Sequence, residues 1–116
     1  MTPPRVARRP RPPVLAPSTA AAPPRVDPAK LVIQATDAFQ RRRFDDAVRL
    51  GHQATEAGAG APAHVVLGNV YLAMRKLPDA EQEYSHALSL DPDDGSTRER
   101  LAIVREMLKR EMTSQP

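Results

Sequence analysis

The chain has 116 residues, no cysteine and only 3% aromatic side chains. That length makes one modest domain and excludes a large enzyme with a deep, multi-element pocket, and the lack of thiols excludes disulfides, cysteine-based zinc sites and thiol chemistry. The formal charge of +3 is unevenly spread: residues 1–28 hold five arginines against one aspartate, whereas the rest holds twelve basic against thirteen acidic side chains, so the body is near neutral and a nucleic-acid groove spread over it is not expected.

Residues 1–26 are largely Pro, Ala and Arg and cannot bury enough apolar surface to offset their ordering entropy. They are expected to be a disordered tail with polyproline II character. No apolar run reaches membrane-spanning length. Val14-Leu15-Ala16 is cut at Pro17, too short for a secretory signal. Nine prolines in the first 28 residues forbid the amphipathic helix of an organelle transit peptide, and the chain reads as cytoplasmic. The stretch Arg8-Arg9-Pro10-Arg11-Pro12-Pro13 suits an aromatic-lined polyproline groove. The tail arginines would also give salt-dependent, sequence-blind binding to phosphates. A nucleic-acid-associated protein acting through this tail is therefore the alternative reading of function, although no aromatic in the tail supports base stacking. The simplest reading is a spacer kept soluble by its charge.

The first helix is predicted over residues 28–42. Asp27 can cap it, Pro28 fits its first position, and Leu31, Ala35 and Ala38 with Val32 and Phe39 form its apolar stripe. A second is predicted over 45–56, carrying Ala47, Leu50, Gly51 and Ala54 and stopped by Gly58 and Gly60. A third begins at Pro62 and carries Val65, Leu67, Gly68, Tyr71 and Leu72, until Arg75-Lys76-Leu77-Pro78 turns the chain into a fourth over 78–89. Asp91-Pro92-Asp93-Asp94-Gly95 breaks the pattern, and Ser96-Thr97-Arg98-Glu99 has the spacing of a capping box. The last helix, 97–112, buries Leu101, Val104, Met107 and Leu108 and turns Arg100, Arg105, Glu106 and Lys109 outward.

No catalytic constellation emerges. His52, His64 and His86 show no paired or HExxH spacing, and there is no phosphate-binding glycine loop or nucleophile elbow. His64 is expected to fill a packing slot. Asp91, Asp93 and Asp94 resemble the start of a calcium loop, but its twelfth position is Ala102 rather than a glutamate. Arg41-Arg42-Arg43 reads either as helix-end cations, each stabilising by roughly 0.3–1 kcal/mol, or as a contact for an acidic partner. No enzyme activity, metal or cofactor is expected.

Within residues 61–94, Leu67-Gly68, Tyr71, Ala80, Tyr84, Ala87 and Pro92 fall at the positions where two close-packed helices need small residues, large fillers and a stop. This stretch resembles the tetratricopeptide repeat, whose period is about 34 residues, with His64 where the family usually has Trp. Aligning Phe44-Asp45-Asp46-Ala47 with Leu77-Pro78-Asp79-Ala80 superposes Ala47 on Ala80, Ala54 on Ala87 and Ala35 on Gly68. Gln34 then stands for Leu67 and Gly51 for Tyr84, so residues 28–60 resemble the family only in their small residues and their helix-turn-helix rhythm.

The resemblance implies an all-α fold: antiparallel helical hairpins stacked as a short tetratricopeptide-like solenoid of five helices behind a disordered N-terminal tail. The domain would span 27–112, with repeats at 28–60 and 61–94 and a capping helix at 97–112. It also implies a protein-protein interaction module, an adaptor or chaperone of the kind found in bacterial secretion systems. Such a module binds a peptide or helical segment along its concave face. By position, repeat one would present Val32, Thr36, Phe39 and Gln40, repeat two Val65, Asn69, Leu72 and Ala73, and the cap Arg100. Asn69 would hydrogen-bond the ligand backbone. Val32 and Thr36 replace the Lys and Asn with which some relatives clamp a terminal carboxylate, so an acidic C-terminus is not the expected ligand. Solenoids generally need three or more units, so self-association through an exposed edge or dependence on a partner is a further expectation. Neither a membrane nor a nucleic acid is an expected partner of the folded part.

Overall fold

The computed structural model describes residues 27–114, and the predicted tail, residues 1–26, lies outside the described residues. The elements are α1 Pro28–Gln40, α2 Phe44–Glu56, α3 Ala61–Ala73, α4 Leu77–Leu90 and α5 Gly95–Ser114, with no strand among the described residues. Connections of three or four residues leave each helix no choice but to run back along the previous one. Each helix packs on its neighbour in sequence, and α1 also touches α3. Two antiparallel hairpins, α1–α2 and α3–α4, are thus stacked and closed by α5.

The start of α1 is as predicted: the Asp27 carboxylate accepts the Ala29 amide at 3.0 Å, and Pro28 takes the first helical position. Its end comes two residues early. Arg42 adopts a left-handed φ of 63°, while the Arg43 amide donates to the Ala38 carbonyl at 2.8 Å and the Arg42 amide to Phe39 at 3.0 Å. This pair of bonds is the Schellman closure. Arg75 repeats it after α3, with φ 63° and amide bonds from Lys76 to Tyr71 and from Arg75 to Leu72. After α2 the same left-handed position is filled by Gly58.

A left-handed non-glycine residue costs about 1–2 kcal/mol. Part of that is lost again when glycine loosens the unfolded chain. Arg42→Gly and Arg75→Gly are each expected to stabilise the fold by about 0.5–1 kcal/mol, read as a higher urea midpoint at unchanged slope. A lowered midpoint would mean that the arginine side chains contribute more than their backbone strain costs.

The start of α5 also differs from prediction. Ser96 does not cap it. Asp94 does, with one carboxylate oxygen accepting the Thr97 amide at 3.2 Å and the other accepting the Thr97 hydroxyl at 2.6 Å. These bonds, from the hydroxyl first, hold the Asp94 carboxyl below the usual carboxylate range. A carboxylate outcompetes a serine hydroxyl because its bond to the helix N-terminus is charge-assisted. The helix consequently begins at Gly95 and buries Thr97.

Packing follows the small residues. Ala35, Ala38 and Ala47 let α1 and α2 approach closely, and Val66 and Val70 of α3 close over them with Phe39 and Phe44 at the side. At the other end of this hairpin Leu31, Ala54 and Ala63 form a smaller cluster. The second hairpin and the cap share Leu77, Ala80, Tyr84, Leu101 and Val104, against which Tyr71 and Leu72 of α3 pack.

Candidate functional site

Tyr84 organises the second hairpin. Its ring is fully buried on α4 and lies against Gly68 of α3, where a side chain would collide with it. Placed so, the ring carries its hydroxyl through to Asn69, where it donates to the amide oxygen. Burial pushes the Tyr84 phenol up to about 12, with Arg100 pulling weakly the other way, so the hydroxyl stays a proton donor through the physiological range. The Asn69 amide is thereby fixed in orientation. Its oxygen faces Tyr84, and its NH2 group is left to point away with two donors.

Asn69 opens onto a shallow depression that it shares with Phe39, Leu72, Ala73 and Arg100. A second depression, lined by Phe39, Gln40, Arg42, Phe44 and Ala73, adjoins it through Phe39 and Ala73. The two together make a trough across the ends of α1 and α3 to the first turns of α5. Its floor is apolar, each part is lined by one arginine, and no carboxylate lines either part.

Of the nine positions predicted to face a ligand, Phe39, Gln40, Asn69, Leu72, Ala73 and Arg100 meet in this trough. Val32, Thr36 and Val65 do not line it. Val32 lies in a separate hollow with Ile33, Ala59 and Pro62 at the far end of α1. The Thr36 hydroxyl is turned onto its own helix, donating to the Val32 carbonyl at 2.9 Å. Val65 is half-buried and lines neither part. Arg42 and Phe44 line the trough without having been predicted there, because they belong to the turn and the next helix start rather than to a helix face.

The histidines are less isolated than the sequence suggests. His64 does sit against neighbours at its packing position, but its partners are polar: its Nδ1 lies 2.8 Å from a Glu83 carboxylate oxygen, and its ring stacks on His86 with centroids 4.3 Å apart. His52 Nε2 lies 3.2 Å from the Tyr71 hydroxyl, whose phenol is raised by burial and then by Glu83 and Asp79. The antiparallel pairing that sets Gly68 on Tyr84 also sets residue 64 beside 83 and 86, a relation not visible in linear spacing. Stacked rings direct their in-plane lone pairs side by side rather than toward one point, and no group of three or more candidate metal ligands occurs among the described residues. No helix among the described residues is long and apolar enough to cross a membrane.

Residues 61–94, which span α3, α4 and the turn before α5, match the family model described as tetratricopeptide repeat. No curated protein and no solved structure matches the chain. The α1–α2 hairpin lies outside the matched span.

Proposed function

We propose that this tetratricopeptide-repeat protein is a non-enzymatic interaction module, an adaptor or chaperone-like protein of the cytoplasm, which docks a peptide or helical segment of another protein in the trough. The α1–α2 hairpin then serves as a degenerate second repeat whose Phe39 and Gln40 complete the binding surface. One observation carries the reading: the buried Tyr84 hydroxyl fixes the Asn69 amide with its NH2 donors turned from the hairpin interior. A pre-oriented donor beside an apolar floor suits a partner whose backbone carbonyls are unpaired and whose apolar side chains seek cover.

The discriminating variant is Asn69→Asp. It keeps an acceptor for the Tyr84 hydroxyl but has no N–H to offer a ligand. Peptides retained by the full chain on an array are expected to bind Asn69→Asp about tenfold more weakly, while its urea midpoint stays near that of the wild type. Equal retention by the two proteins would reject the role given to Asn69.

A further inference from the structure

The trough's charge pattern says more about its occupant than its apolar floor does. Arg41, Arg49, Arg75 and Arg105 each pair with a carboxylate of this chain. Arg42 and Arg100 form no salt bridge with a described residue. They line different parts of the trough, Arg42 only the part with Phe44 and Arg100 only the part with Asn69. The carboxylate that senses Arg100, Asp94, is committed to the Thr97 amide and hydroxyl. Arg42 is moreover held there in a left-handed conformation that glycine would adopt with less strain.

Building on the docking function proposed above, we infer that the trough takes an acidic segment of a partner protein, in which one apolar anchor is flanked on both sides by Asp or Glu. The anchor covers Phe39, Leu72 and Ala73, the Asn69 NH2 meets a backbone carbonyl, and the flanking carboxylates meet Arg42 and Arg100. A single terminal carboxylate would satisfy one arginine and leave the other bare, which is why the segment is internal. The chain's own tail is a poor occupant, because Arg5, Arg8, Arg9 and Arg11 would face two more arginines.

The test uses the full chain and three peptide sets with free ends blocked: Leu, Ile, Phe or Met anchors flanked by Asp and Glu, by Ser and Gly, or by Lys and Arg. The acid-flanked set is expected to bind at least tenfold more tightly than the neutral set, with the preference shrinking as salt rises. Arg42→Gly relieves backbone strain and Arg100→Gln sits on an exposed helix surface, so both variants fold. Each should weaken acid-flanked binding about fivefold more than neutral-flanked binding, and the double variant should lose the preference. Asn69-dependent binding that ignores the flanking charge would overturn the acidic partner and leave the docking function standing. No binding by any set would overturn both. A concentration-dependent dimer broken by the double variant would overturn the inference as well, since the occupant would then be a second copy.

Discussion

Gly68→Ala is expected to destabilise the fold by about 1–3 kcal/mol, whereas Gly51→Ala costs about 1 kcal/mol less, about 0–2 kcal/mol. The two glycines look alike: both are buried in helices, and a Cβ at either would lie 2.6 Å from a neighbouring side chain. What differs is the neighbour. At Gly51 the obstacles are the Cδ2 and Cγ of Leu67, which is also fully buried but is an aliphatic chain with no hydrogen bond to break. At Gly68 they are the Cε1 and Cδ1 of the Tyr84 ring, which is enclosed on all sides and tethered through its hydroxyl to Asn69. Overpacking costs about 1–3 kcal/mol. Moving the ring also breaks a hydrogen bond worth about 1 kcal/mol. The gain in helix propensity from Gly to Ala, about 1 kcal/mol, offsets part of the overpacking at Gly51, whereas at Gly68 the lost hydrogen bond cancels it. Equilibrium urea denaturation followed by circular dichroism measures both. Adding Tyr84→Leu to Gly68→Ala should recover part of the loss, and adding Tyr84→Phe should not, because the ring remains. Equal losses at the two glycines would show that the Asn69 tether does not restrain the ring.

The same residues show what could be read from the sequence. Helix positions came from the 3.6-residue apolar period and from Asp27-Pro28, Gly58 and Asp91-Pro92, signals that act locally. The left-handed turns at Arg42 and Arg75 carry no such signal, since arginine has no preference for that conformation, so the end of α1 was placed two residues late. The α5 cap was misplaced because two capping patterns overlap, and the carboxylate of Asp94 prevailed over the hydroxyl of Ser96. At the site, repeat register groups Phe39, Gln40, Asn69, Leu72, Ala73 and Arg100, which the fold brings to one trough from α1, α3 and α5. Val32 lies outside that trough, because it is seven residues or about 10 Å along α1 from Phe39, where a continuous helix face has already left a short depression. The partnership of Tyr84 with Asn69 was illegible, because it depends on which way a buried ring points.

Leu101→Ala is expected to cost about 2–5 kcal/mol, while Ile103→Ala two residues on stays within about 0.5 kcal/mol. Leu101 is buried with Val104 against Leu77, Ala80 and Tyr84, whereas Ile103 is 54% exposed on the opposite side of α5. In a stack this thin the loss is not shared. A terminal helix in a linear array is held only by its neighbour. Here that neighbour is α4, with help from Tyr71 and Leu72. Small domains of this size are marginal, with total stability toward the lower part of about 5–15 kcal/mol. Leu101→Ala should therefore loosen α5 before the first hairpin melts. Hydrogen exchange should show α5 and α4 amides losing protection while α1 and α2 keep theirs. The change also reaches the trough, because Arg100 precedes Leu101 and is positioned by the same turn of α5. Acid-flanked peptides should thus bind Leu101→Ala less tightly, although Leu101 lines no part of the trough. Unaltered exchange in α5 would mean that the cap is held by its exposed ion pairs, Arg105 with Glu81 and Arg75 with Glu111, rather than by its buried face. Such pairs typically contribute about 0–1 kcal/mol each, too little to hold a helix of this length.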